Sequence, residues 1–465
     1  MGVSGLADLV LRDETLAGAV EDARDGRVPA LDVTAPAALR PFVVKALLDA
    51  GRTVLAVAAT AREAEDLVST LQGVVDPALV AYYPAWETLP HERLSPRSDT
   101  VGRRLAVLRR LKHPGTDPSN GPVRVVVAPV RSVLQPQVRG LADLEPVELA
   151  PGDEVELDDV VRRLAGAAYH RVDLVEKRGE FAVRGGIVDV FPPTEEHPVR
   201  VEFWGDEVEE VRSFAVADQR SLQPVARLWA PPCRELLLTD EVRARAKQLA
   251  VSHPQLAEIA ERLADGHAVE GMESLAPGLT DDMELLVDLM PRESHVLVLD
   301  PERVRARAHD LVATSEEFLE ASWAAAASGG QAPIDLGAAS YHSLADVRAT
   351  SLGQDKSWWT MSPFGLDPEA DAVRQEPLRD ELGDVVAAGV NADDGAVESR
   401  LLAAKPVEAY RGDIERAVGD IRGWLGGGSR VVLLHEGHGP AQRMVEVLRE
   451  HDVPVRFAES LDEEP

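Results

Sequence analysis

Val175–Pro193 reads VEKRGEFAVRGGIVDVFPP. Apolar and polar residues alternate along it, the period of a half-buried strand. Yet it carries Arg-Gly twice, at Arg178-Gly179 and Arg184-Gly185. In an extended chain the even spacing of Arg178 and Arg184 sets them on one face with Glu180 and Ala182, leaving Phe181 and Val183 to the other. Gly179, Gly185 and Gly186 permit a turn or bulge, which would re-aim side chains between faces. Otherwise Phe181 and Val183 are simply core and the arginines solubilise an edge strand. A displayed set of arginines calls for an acidic counterpart, phosphate or carboxylate.

Upstream, residues 28–135 alternate strands with helices. Thr53–Ala59 and Val123–Ala128 are apolar runs of the kind buried on both faces of a parallel sheet. Between them Ala64, Leu67, Val68 and Leu71 recur at helical spacing. Residues 136–215 change to shorter strands, with a helix near Leu157–Ala168. There VRVEFWGDEVEEVRSF alternates about a Gly-Asp turn and reads as a β-hairpin. Residues 216–335 return to helices and one buried strand, HVLVLD (His295–Asp300). Residues 336–399 are poor in pattern and read as a linker, with Trp358-Trp359 as an anchor. Residues 400–465 read as a small α/β unit, with Ile414, Val418, Ile421 and Leu425 on one helix face and RVVLL and VPVRFAE as strands. Residues 1–27 read as a helical extension. The expected fold is α/β: a parallel-sheet lobe in two halves, an inserted α+β domain (136–215), and a small separate α/β domain.

The length of 465 residues fits roughly three or four domains. The formal charge of −31, from 49 basic against 80 acidic residues, opposes non-specific binding to nucleic acid. A local cluster of arginines is the more conspicuous for it. The single cysteine, Cys233, forbids an internal disulfide and fits a reducing cytoplasm, the expected location. No run of about 20 apolar residues is present, and MGVSGLADLV lacks the basic-then-apolar order of a secretory signal.

Few stretches offer chemistry. A phosphate loop needs glycines and a Lys that follows Gly; none of the six lysines does. Where such a loop belongs, the chain reads VTAPAALRPFVVKAL, with Pro36 and Pro41 removing amide donors. HVLVLDPERV resembles the strand that presents a metal-binding Asp in ATPases, but Pro301 stands where the general base belongs, so Asp300 reads as a helix or turn cap. His435 and His438 lack metal-ligand spacing, and Cys233 has no evident partner base. No catalytic residue, metal or cofactor is expected. Tyr82, Tyr83 and Trp86 are candidates to stack bases or to cover the sheet end. Arg103, Arg104, Arg109 and Arg110, in VGRRLAVLRRLK, are candidates for nucleic-acid contact or form a solvated helix face.

Several stretches together resemble one family. YYPAWETLPHERLSPRSDTVGRRLAVLRRL and YHRVDLVEKRGEFAVRGGIVDVFPPTEEHPVRVEFWGDEVEEVRSF, in order with AVAATAREAEDL, VVVAPVRSVL, GMESLAPGL and LLVDLMPRESHVLVLD, resemble the bacterial transcription-repair-coupling factors, whose N-terminal region copies the excinuclease UvrB. The resemblance implies a degenerate helicase-like lobe without ATP chemistry and an inserted domain that binds the excinuclease UvrA. It implies that Arg171, Arg178, Phe181 and Arg184 make that contact. It also implies that RNA polymerase and DNA are engaged by later domains, absent before LDEEP, so that the chain is an N-terminal adaptor fragment with no enzyme activity of its own.

Overall fold

The structure, a computed structural model, describes residues 5–115, 121–328, 333–334, 336, 340–364, 378–379, 385–387, 397–407, 409–435 and 437–459. The chain divides into two compact units, Met1–Gly51 with Ser69–Pro77 and Met361–Pro465, and Arg52–Val68 with Ala78–Thr360.

In the larger unit the apolar runs become parallel strands. Val54–Ala58 lies between His295–Leu299 and Val125–Pro129, and Val80–Tyr82 pairs beyond Val125–Pro129. The Val54–Ala58, Val125–Pro129 and His295–Leu299 strands are buried at every position. That is why they read as unbroken hydrophobic runs. On the free side of His295–Leu299 lies Ser357–Ser362. Its Trp358 and Trp359 are 5% and 0% exposed. The linker expected across 336–399 is therefore corrected over 344–362, a helix (Leu344–Gly353) and a core strand. Burial of two tryptophans outweighs the weak local pattern.

The inserted segment forms a six-stranded sheet, in the order Ser221–Pro224, Glu207–Phe214, Val199–Trp204, Ile187–Val190, Glu180–Arg184, His170–Arg171. The pairs are antiparallel except the last. The expected hairpin is Val199–Trp204 with Glu207–Phe214. One sheet face packs Phe181, Val188, Val190, Val199 and Val201 against Val160 and Leu164 of the helix Leu157–Gly166. A register shift near Glu202 lets Val208 and Val211 both face that core. Val147–Leu149 pairs with Leu228–Ala230, so this domain closes at about Ala230 and not at residue 215.

In the smaller unit Ala30–Thr34 pairs in parallel with Glu398–Leu401. The helix Glu14–Asp25 is capped by Asp13. Farther along, the helices Ile414–Gly426 and His438–Glu450 pack through Val418, Ile421 and Leu448, joined by Val453 beyond the second helix. RVVLL and VPVRFAE do not form strands; Val432, Leu433 and Leu434 are exposed. A strand needs a neighbour for its amides and carbonyls, and among the described residues these runs have none. The expected α/β unit is here a pair of helices. No helix among the described residues is long and apolar enough to cross a membrane.

Candidate protein-docking surface

Val175–Pro193 folds as a turn followed by a hairpin, not as one alternating strand. Gly179 has φ +86°, and the strand begins only at Glu180. The Glu180 carboxylate accepts hydrogen bonds from the amides of Glu176 and Lys177, each at 2.8 Å, which fixes the turn. Gly185 (φ +61°) and Gly186 join Glu180–Arg184 to Ile187–Val190, with Arg184 opposite Ile187. The expected single row of Arg178 and Arg184 is therefore corrected: Arg178 sits in the turn and Arg184 at the hairpin tip.

Arg178 is exposed; its Nε donates to the Glu195 carbonyl at 3.0 Å and its guanidinium lies 5.0 Å from the centre of the Phe191 ring. That stack leaves most of its donors outward. Arg171 is exposed on the short edge strand, paired in register with Phe181, and has no ion-pair or hydrogen-bond partner for its side chain among the described residues. Arg184 keeps 47% of its side chain exposed while touching Asp189 at 2.5 Å. Phe181 is different. At 1% exposure it lies in the domain core, so the expected contact role is corrected; its odd phase in the strand sends it inward, and no bulge turns it out.

Two neighbours were not singled out in the sequence. Asp189 is 1% exposed and receives Arg200 through Nε at 2.7 Å and Nη2 at 3.0 Å. The hydrogen bond to Asp189 holds the Arg200 guanidinium above its ordinary pKa. The signal was an Asp among valines in IVDV, opposite an Arg in VRVEF, because a buried carboxylate demands a cation. Trp204 is 79% exposed. Its signal was an aromatic in the polar phase of VRVEFW.

The second arginine cluster behaves otherwise. Arg104, on the helix Ser98–Lys112, is 0% exposed. Its Nε donates to Glu235 at 2.5 Å, Nη1 to the Pro84 carbonyl at 3.0 Å and Nη2 to Gln137 at 3.1 Å. The guanidinium also lies 4.4 Å from the Tyr83 ring centre. Trp86 Nε1 donates to the same Glu235 at 3.1 Å. Arg109 Nη1 donates to the Leu144 carbonyl at 3.0 Å. Arg110 is 8% exposed and donates to the carbonyls of Gly121 and Ala78. Only Arg103 of the four is exposed. For Arg104 and Arg110 both readings are corrected: they reach neither phosphate nor solvent, because their guanidiniums satisfy backbone carbonyls and a buried carboxylate. Tyr83 and Trp86, at 0% and 9% exposure, cover the sheet end and stack no base.

Cys233 is buried and its thiol is pushed up to about 12 by that burial, the state of an inert thiol. No cluster of potential metal ligands occurs among the described residues.

A family model described as "UvrB interaction domain" matches residues 147–235. These are the sheet, its helix and the closing strand pair described above. Over 97% of its length the chain is 45% identical to the transcription-repair-coupling factors of Mycobacterium bovis and Mycobacterium tuberculosis. The chain is thus similar over nearly its whole length to transcription-repair-coupling factors. It spans 36% of the length of those two relatives. A shorter stretch, 31% of the chain, is 29% identical to the UvrABC system protein B of Gemmatimonas aurantiaca, covering 20% of that protein. This second likeness and the domain match agree with the family resemblance carried by the motifs.

Proposed function

We propose that the inserted domain docks the excinuclease UvrA, so that this part of a coupling factor serves nucleotide excision repair as a protein adaptor. Stalled RNA polymerase and DNA are engaged by other parts of the whole factor. One observation carries the reading: Arg171, Arg178 and Arg184 stand exposed on one domain of a chain whose formal charge is −31. Arginine forks grip carboxylates bidentately and stay charged at any working pH. An acidic chain repels phosphate at long range but tolerates a local carboxylate partner.

The chain hydrolyses no ATP in this reading. After the strand Ala30–Thr34, the Ala35 amide already donates to the Ser362 carbonyl at 2.9 Å, and a short turn Ala37–Leu39 leads into the helix Arg40–Asp49. Pro36 and Pro41 offer no amide. The lysine of that helix, Lys45, pairs with Asp49 at 2.7 Å, and the prolines interrupt the run of amides that phosphoryl transfer requires.

Calorimetry of the chain with purified UvrA tests the docking. Arg184→Ala is expected to weaken binding about 30-fold, the usual loss of an arginine anchor at an interface centre. Folding is expected to hold, because Asp189 keeps both bonds from Arg200. Undiminished affinity in Arg184→Ala places the interface elsewhere. Titration with ATP and Mg²⁺ is expected to show no binding at micromolar concentration; saturable binding with turnover removes the non-enzymatic reading.

A further inference from the structure

We propose that Trp204 is a second anchor of the docking surface, seated against an apolar side chain that UvrA presents beside the carboxylates held by Arg184. The inference rests on the docking reading above and adds a residue type the motif does not contain.

The strand Val199–Trp204 alternates strictly: Val199, Val201 and Phe203 enter the core, while Arg200, Glu202 and Trp204 face out. Trp204 therefore shares the outer face with Arg184. Glu202 pairs with Ile187, which pairs with Arg184. The Phe203 amide donates to the Gly186 carbonyl at 2.7 Å, so the glycine turn after Arg184 runs alongside Trp204. Gly185 and Gly186 carry no side chains. Between Arg184 and Trp204 on this face lie Ile187 and Glu202, both half-buried.

Folding does not explain Trp204. Its side chain is 79% exposed and makes no hydrogen bond, aromatic or cation–π contact among the described residues. Single exposed hydrophobics are common, but this one shares a sheet face with a displayed arginine, and tryptophan with arginine is the usual composition of an interface centre. Charge sets the orientation of the partner. Farther in on the same face, Arg200 is paired with Asp189 and Arg212 with Glu210. Across the strand pair Trp204 meets Glu207. An acidic partner is thus drawn to Arg184, while Glu202 and Glu207 beside the tryptophan repel carboxylates, so the group that falls on the indole is apolar.

The test uses the whole chain, wild type and the variants Trp204→Ala, Trp204→Phe and Arg184→Ala, with calorimetry against UvrA and thermal melts of each. Trp204→Ala is expected to bind about 30-fold more weakly with an unchanged Tm, and Trp204→Phe to recover most of the affinity because it restores the apolar face. If Trp204→Ala binds like the wild type while Arg184→Ala is weakened, the anchor is overturned and the docking reading stands. If Trp204→Ala lowers Tm and affinity together and Trp204→Phe restores both, Trp204 is a folding residue and the inference fails. If the wild type does not bind, both readings fall.

Discussion

The chain has two arginine-dense stretches, and they do opposite things. On the helix Ser98–Lys112, Arg104 and Arg110 are buried and Arg109 is half-buried, each bonded to carbonyls or to Glu235. In the inserted domain, Arg171, Arg178 and Arg184 stand exposed. The difference lies in the company each arginine keeps. The helix runs past the backbone carbonyls of Pro84, Leu144, Gly121 and Ala78, and planar guanidiniums donate to them. The motif arginines sit in a turn, on an edge strand and at a hairpin tip, where the backbone leaves them facing water. Arginine density alone therefore signals either an internal clamp or a display surface.

Breaking the clamp should give the largest effect. Arg104→Ala leaves Glu235, 3% exposed, without its cation. Removing one partner of a buried pair costs about 3–5 kcal/mol. Urea denaturation should show that loss, and the double variant Arg104→Met with Glu235→Leu should lose less than the single one. A wild-type midpoint for Arg104→Ala would mean that the helix arginines are not structural, and the contrast would collapse.

The second test sets this paired cation against an unpaired base. His295, 1% exposed, starts a central strand. Burial pushes its pKa down to about 4, and the Arg52 cation adds to that. The unfolded chain takes up the proton below pH 6.5, whereas the folded chain resists until about 4. Folding stability is therefore present above pH 6.5 and is lost as pH falls toward 4, by about 3 kcal/mol from this group. His295→Leu should flatten that part of the pH–stability curve. Arg104, charged in both states over this range, should contribute no such slope. Equal slopes in wild type and His295→Leu would show that the histidine is not held neutral.

The display side predicts losses of affinity without losses of stability. Arg171→Ala should weaken binding to UvrA by roughly tenfold, about 1.4 kcal/mol, and the difference should shrink as salt rises. Arg178→Ala should do the same and also lose the stack on Phe191, worth on the order of 0.5–1 kcal/mol of folding stability. A Tm drop in Arg171→Ala larger than in Arg178→Ala would reverse the assignment, since the Arg171 side chain has no internal partner among the described residues.

What was legible in the sequence follows the same division. Continuous apolar runs announced the buried parallel strands, and alternation announced the hairpin Val199–Trp204 with Glu207–Phe214. Alternation also put Phe181 opposite the arginines, where the core holds it. The docking motif was legible as a pattern, but the turn at Gly179 was not, because a glycine in an alternating run signals a bulge and a turn equally. The burial of Arg104 was invisible. Its partner Glu235 lies 131 residues away, and nothing local marks a charge as paired across that separation. RVVLL failed for the converse reason: strand propensity was strong, but strands are made by neighbours, and the described chain offers none.

The smallest effect belongs to the one arginine of the clamp helix that points outward. Arg103 is exposed; of the four arginines on that helix it alone is left for phosphate contact. Its substitution by Ala should change stability by less than about 0.5 kcal/mol, the range for surface positions away from caps and pairs. Binding to UvrA should be unchanged, because Arg103 lies outside residues 147–235. One arginine against a net charge of −31 should give duplex DNA only weak affinity, with log K falling against log salt at a slope of about −1. Tight DNA binding at physiological salt that disappears in Arg103→Ala would turn this helix from a clamp with one idle arginine into a nucleic-acid surface. Unchanged melting, unchanged docking and a shallow salt slope would instead confine partner recognition to the arginines of the inserted domain.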